Sequence, residues 1–159
     1  MARAARPAVM TRIPPAALIL GFAGLIPFIW GALLVLGINN GISAQMPEVL
    51  RGDGRLLMIR YGGIILPFMG GVLWGFAAQA SGIRAASGFA LSVVPALWWF
   101  FMPGVGPTSA LTNLATGFMG VLLLDYAFHK WGLTPPWWIA LRVQLSIAVM
   151  ICLAIGVVL

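Results

Sequence analysis

The sequence predicts an all-α integral membrane protein, a bundle of about five transmembrane helices with the N-terminus inside and the C-terminus outside. Three observations carry this. Of 159 residues, 62% are hydrophobic and 8% are charged, against about 25% charged in soluble domains. A chain of this length has too little interior to hide so many apolar side chains. Disorder is excluded as well, since it needs low hydrophobicity and high charge. Second, the apolar residues fall into five runs, each close to the roughly 20 residues that a bilayer crossing takes. Third, nine Lys and Arg against three Asp and Glu give a formal charge of +6, dispersed at the ends of those runs. That is the pattern of membrane topology rather than of a nucleic-acid-binding face.

The first span is expected at about 15–38. Arg3, Arg6 and Arg12 precede it, as basic residues precede a signal peptide. The run is longer than the roughly 7–15 residues of a signal h-region and lacks a small-x-small cleavage site, so a retained span is expected. The acid-free stretch Met1–Arg12 also fits a short mitochondrial presequence, but positive-inside flanking explains it more simply. Asn39 to Arg55 forms the one long connection, with a short interfacial helix expected within Ile42 to Leu50. The second span is expected at 56–80, and Ser81-Gly82 separates it from a third at 85–102. Pro103-Gly104 and Gly106-Pro107 form a tight turn before the fourth, at 108–128, with Pro107 at the helix start. Gly132 and Pro135-Pro136 precede the fifth, at 137–158. Pro27, Pro67 and Pro95 fall inside spans and predict kinks. The chain reads as a single transmembrane domain, 1–159. It has no internal repeat, and an odd number of spans argues against an inverted-repeat transporter.

Orientation follows from the basic residues. The N-terminal side holds Arg3, Arg6, Arg12, Arg84, Lys130 and a snorkelling Arg142; the other side holds Arg51, Arg55 and Arg60. This bias places the N-terminus in the cytoplasm or matrix. Trp98, Trp99, Trp131, Trp137 and Trp138 are expected as an interfacial belt, with Trp30 and Trp74 deeper as packing residues.

Ionisable groups within a membrane are costly and mark either function or a specific pair. Asp125 and His129 are four residues apart, so they share a helix side. A short loop brings Arg142 to the same depth. Asp125, His129 and Arg142 are thus the candidate polar site, with a structural ion pair locking two antiparallel helices preferred over a proton or substrate site. Arg60, next to Tyr61, reads as a snorkelling anchor, with a lipid-headgroup site as the alternative. Ser109, Thr112, Asn113, Thr116 and Gly120 follow helical spacing along one face. They are expected to pack against another helix, with Gln144 and Ser146 as partners. Gly71 and Gly75 form a GxxxG beside Gly70, which predicts close approach of a helix of this chain or of a partner.

No cofactor, metal or catalytic constellation is expected. One His and one Cys argue against a protein-held zinc site and exclude bis-histidine haem ligation within one chain, and nothing specifies Met-His ligation. Cys152 reads as a buried, inert thiol. No phosphate loop and no Gly-x-Ser-x-Gly elbow is present. Asp125 is the sole Asp in or bordering a span, which disfavours an intramembrane hydrolase.

Several strings together resemble a known family. They are Leu20-Gly-Phe-Ala-Gly-Leu-Ile-Pro-Phe28, Tyr61-Gly-Gly-Ile-Ile-Leu-Pro-Phe-Met-Gly-Gly-Val-Leu-Trp-Gly75, Ser92-Val-Val-Pro-Ala-Leu-Trp-Trp99, the Asp125 span end and Ile139-Ala-Leu-Arg142. The likeness, over about Ala16 to Val149, is to the domain of unknown function 3429 family, the transmembrane-protein-69-like proteins. The second span departs in having Pro67 where that pattern would place a small polar residue. The resemblance implies a small multi-span protein of bacterial inner (cytoplasmic) or mitochondrial inner membranes, with no activity attached.

Three functional expectations follow, in order of preference. The first is a non-catalytic accessory or assembly subunit of a membrane complex. The second is a small transporter or channel using the Asp125, His129 and Arg142 cluster. The third is a lipid-binding or lipid-modifying protein using Arg60 or Arg142. The expected partners are the bilayer and other membrane subunits or a second copy, and not nucleic acid.

Overall fold

The computed structural model describes residues 12–38, 41 and 45–159, with only the backbone of residue 49. Arg3, Arg6, Asn39, Asn40 and positions 42–44 of the expected interfacial helix lie outside the described residues. All regular structure among the described residues is helical, and five stretches are long and apolar enough to cross a membrane. The first is made of α1 (Pro15–Ala23) and α2 (Ile26–Val35), the second is α3 (Gly54–Ala77). The third is α4 (Gly82–Ser92) followed by α5 (Val94–Phe101), the fourth is α6 (Pro107–Lys130) and the fifth is α7 (Trp138–Val158). Each 24-residue helix, α3 and α6, is about 36 Å long at 1.5 Å per residue, enough to cross about 30 Å of hydrocarbon.

The helix starts have local causes. Asp53 caps α3, its Oδ1 accepting from the backbone N–H of Arg55 at 2.8 Å and of Leu56 at 3.4 Å. That satisfies donors that the first turn leaves free and starts the second span slightly earlier than hydropathy alone expects. Ser109 Oγ accepts from the N–H groups of Val105 and Gly106 and donates to the Gly106 carbonyl, closing the turn into α6. Gly104 makes that turn at φ 84°, where a Cβ would also lie 2.5 Å from Ala110 N. In the described part of the long connection, Glu48–Leu50 forms a short 3₁₀ turn. Trp30 Nε1 ties it down by donating to the Leu50 carbonyl at 2.8 Å.

Two of the three span prolines coincide with breaks. Pro27 follows the interruption at Gly24 and Leu25, and Pro95 follows that at Val93. Tyr61 covers the first by donating its hydroxyl to the Gly24 carbonyl at 3.0 Å, as exposed backbone acceptors in a membrane require. The third, Pro67, lies inside α3, which runs through it as one helix. Leu66, Met69 and Leu73 around it are buried, and that packing holds the helix across the missing hydrogen bond.

Helix α3 sits at the centre, against α2, α4, α5 and α6, and α7 closes the bundle against α6 and α2. The main core joins Phe28, Met58, Leu66, Leu111, Leu114, Phe118 and Leu153. Phe28 meets Tyr61 and Phe118 edge-on at 5.2 and 5.8 Å between ring centroids. Glycines set the close crossings. A Cβ on Gly31 would lie 2.9 Å from the Gly54 carbonyl, and one on Gly70 would lie 2.5 Å from the Ser92 carbonyl.

Candidate intramembrane polar site

Asp125 lies about one and a half turns before the end of α6, and Arg142 about one turn after the start of α7. Antiparallel helices joined by 131–137 therefore bring them to one depth. Arg142 Nε donates to Asp125 Oδ2 at 2.7 Å. Asp125 is fully buried and Arg142 is 6% exposed. The other carboxylate oxygen, Oδ1, accepts from Trp138 Nε1 at 2.7 Å. Charge-assisted bonds of this length are the strong kind, and both carboxylate oxygens of a buried acid are thereby satisfied.

The third member of the expected cluster does not join. His129 Nδ1 meets Thr134 Oγ1 at 2.9 Å, in the connection to α7. A spacing of four rotates a side chain by about 40° and moves it about 6 Å along the axis, so His129 lies nearer the helix end than Asp125. Trp138 takes its place. The sequence suggests an interfacial belt position for Trp138, yet it stands four residues before Arg142, and that spacing is the available signal that both face α6.

Arg142 also borders a partly open cavity of about 150 Å³ lined by residues of α1, α2, α3, α6 and α7. Ser146, one turn further along α7 and 5% exposed, is on the same wall. Arg142 Nη2 and Ser146 Oγ are buried with no hydrogen-bond partner among the described residues. The rest of the lining is apolar, including Leu25, Phe28, Met69 and Phe118.

Within the described chain, few of the expected small-residue contacts form. Nothing in the described chain approaches Gly71 or Gly75, both exposed; the close approach is made one residue earlier, at Gly70. Thr112 and Thr116 are exposed and donate back to the carbonyls of Thr108 and Thr112, at 2.8 and 3.0 Å. A hydroxyl in lipid takes the nearest backbone acceptor, four residues back. Gln144 does the same with Ala140. Ser109 is used in the turn before α6. Asn113 alone reaches a neighbouring element, donating to the Met102 carbonyl at 3.1 Å while its own carbonyl accepts from Trp98 Nε1 at 2.8 Å. Trp98 thus turns into the bundle instead of standing in a belt, as does Trp99 against Gly63. Trp74 is half exposed and meets Phe89 at a tilt, with ring centroids 4.6 Å apart. Arg60 is exposed, as a snorkelling anchor would be. Among the described residues, no three His, Cys, Asp or Glu side chains cluster as a metal would need.

These features define a class, the polytopic helical membrane protein with a buried intramembrane ion pair. Residues 13–158 match the family model described as protein of unknown function (DUF3429), and the chain belongs to that family. It is also similar to transmembrane protein 69 of Xenopus tropicalis, at 34% identity over 140 aligned positions, with 84% of this chain covered. The chain spans about half the length of that curated relative. No solved structure matches it.

Proposed function

We propose that this chain is a non-catalytic accessory or assembly subunit of a membrane complex, offering the exposed side of α3 to a helix of another subunit. The observation that carries the reading is a contrast among the glycines of α3. A Cβ on Gly54, Gly62, Gly63 or Gly70 would meet a neighbouring element at 3.0 Å or less, so the chain's own packing accounts for them. Gly71 and Gly75 lie one turn apart, exposed, with nothing within reach. Glycine inside a helix costs about 0.5–1 kcal/mol relative to alanine, and in lipid a pair at this spacing is what lets a second backbone come close. The bacterial inner membrane is the proposed location, with the mitochondrial inner membrane the alternative, both following from the family likeness.

The test is extraction in a mild detergent followed by intact-complex mass spectrometry of the wild type and of the Gly71→Leu, Gly75→Leu double variant. A stoichiometric second subunit, lost in a double variant that melts at the wild-type temperature, supports the reading. A lone monomer, a homodimer, or a partner retained by the variant overturns it. The transport alternative ranks lower because it needs Asp125, His129 and Arg142 on one water-filled path. His129 is engaged elsewhere, and the cavity beside Arg142 has an apolar lining.

A further inference from the structure

We infer that the cavity between α1, α3 and α7 is a binding site for an apolar, membrane-resident molecule that presents a neutral carbonyl oxygen to Arg142 and Ser146. Two donors point to a ligand here. Arg142 Nη2 and Ser146 Oγ are buried, unpartnered among the described residues, one turn apart on one face of α7, and both residues line the same space. A buried donor without an acceptor is destabilising, and within the bilayer a bound acceptor is what relieves it.

The charge of the acceptor follows from Asp125. Its carboxylate already neutralises the guanidinium through Nε. An anionic ligand would leave a net negative charge in a low-dielectric interior, which is costly. A carbonyl oxygen has two lone pairs and can accept from both donors without adding charge. The shape follows from the rest of the lining. About 150 Å³ is roughly the space that holds a benzene-sized ring in an apolar protein cavity. Leu20 and Phe68, both exposed, also border the cavity and leave a way out to lipid for a longer apolar tail. Helix α1, which buries none of its residues, forms that side and is the wall most readily displaced. Two membrane constituents share this chemistry: a quinone, through its ring carbonyl, and an acyl lipid, through its ester. The site is separate from the α3 docking face, since neither Gly71 nor Gly75 lines it, so failure of either reading leaves the other standing.

The experiment uses the full chain in dodecyl maltoside, a detergent without a carbonyl. Decylubiquinone and a short-chain diacylphosphatidylcholine are titrated separately, read by melting temperature and by quenching of tryptophan emission. Saturable stabilisation is expected with at least one of them. Ser146→Ala keeps the ion pair and removes one donor. It should raise the half-saturating concentration about 3- to 10-fold, the loss of one buried hydrogen bond. Ser146→Leu fills the space and should abolish saturation; if it does not fold, Ser146→Ala alone decides. Saturation by decylubiquinone alone assigns a quinone, by the phospholipid alone an acyl ester, and by both a general carbonyl site. Saturation by neither, or saturation unchanged in Ser146→Ala, overturns the inference.

Discussion

Asp125 receives two donors, Arg142 Nε and Trp138 Nε1, each at 2.7 Å, and replacing it leaves an arginine buried without a counter-charge. Asp125→Asn is expected to destabilise the protein by about 3–5 kcal/mol, read as a lowered midpoint of denaturation in detergent. Trp138→Phe keeps an aromatic side chain but removes the N–H donor and part of the ring system, so a smaller loss of about 1–3 kcal/mol is expected. His129→Ala should be the mildest of the three, within about 1 kcal/mol, because His129 bonds Thr134 and not the acid. A His129→Ala variant as unstable as Asp125→Asn would show the three residues acting as one unit. The pairing of Asp125 with Arg142 was legible from the sequence, since a short connection between two antiparallel helices sets their depth. The exchange of His129 for Trp138 was not, because it depends on the rotation of α6 about its own axis.

Among the elements, α3 separates two kinds of glycine that look alike in the sequence. Gly70 and Gly71 are adjacent, yet a Cβ on the first would meet the Ser92 carbonyl and on the second would meet nothing. Gly70→Ala should therefore cost about 1–3 kcal/mol through overpacking. Gly71→Ala should leave the isolated protein unchanged or more stable by up to about 1 kcal/mol. Thermal melts of the two variants side by side decide this, and equal losses would mean that α3 presents a different face to α4. The GxxxG spacing signals that small residues matter on this helix; which of its faces is inward depends on where α4 breaks before Pro95 and brings its carbonyls against α3. The break in the first span has a comparable support. Tyr61→Phe removes the hydroxyl that caps the Gly24 carbonyl and should cost about 1 kcal/mol, measurable by the same melts.

For the whole molecule, five antiparallel spans put the end of α2, the start of α3 and the connection 102–106 at one end of the bundle and 78–81 and 131–137 at the other. The excess of basic residues on the N-terminal side predicts that the second end faces the cytoplasm or matrix. Cys152 is the one cysteine and is buried, so Cys152→Ser makes a clean background. In sealed, right-side-out vesicles, a membrane-impermeant maleimide should label Val105→Cys at once and Ser81→Cys only after permeabilisation. The reverse order would invert the topology. Composition and hydropathy by themselves determined that this chain is a helical membrane protein of about five spans. Those quantities depend on how much apolar surface lipid must cover, and that sum is independent of arrangement. The resemblance of its glycine- and proline-rich strings pointed to the family. Only the tertiary structure decided that Trp138, and not His129, joins Asp125 and Arg142. A helix offers each side chain several neighbours at comparable spacing, and the choice between them is made by rotation and crossing. Those are set by glycine contacts such as Gly31 with Gly54, from residues distant in the chain.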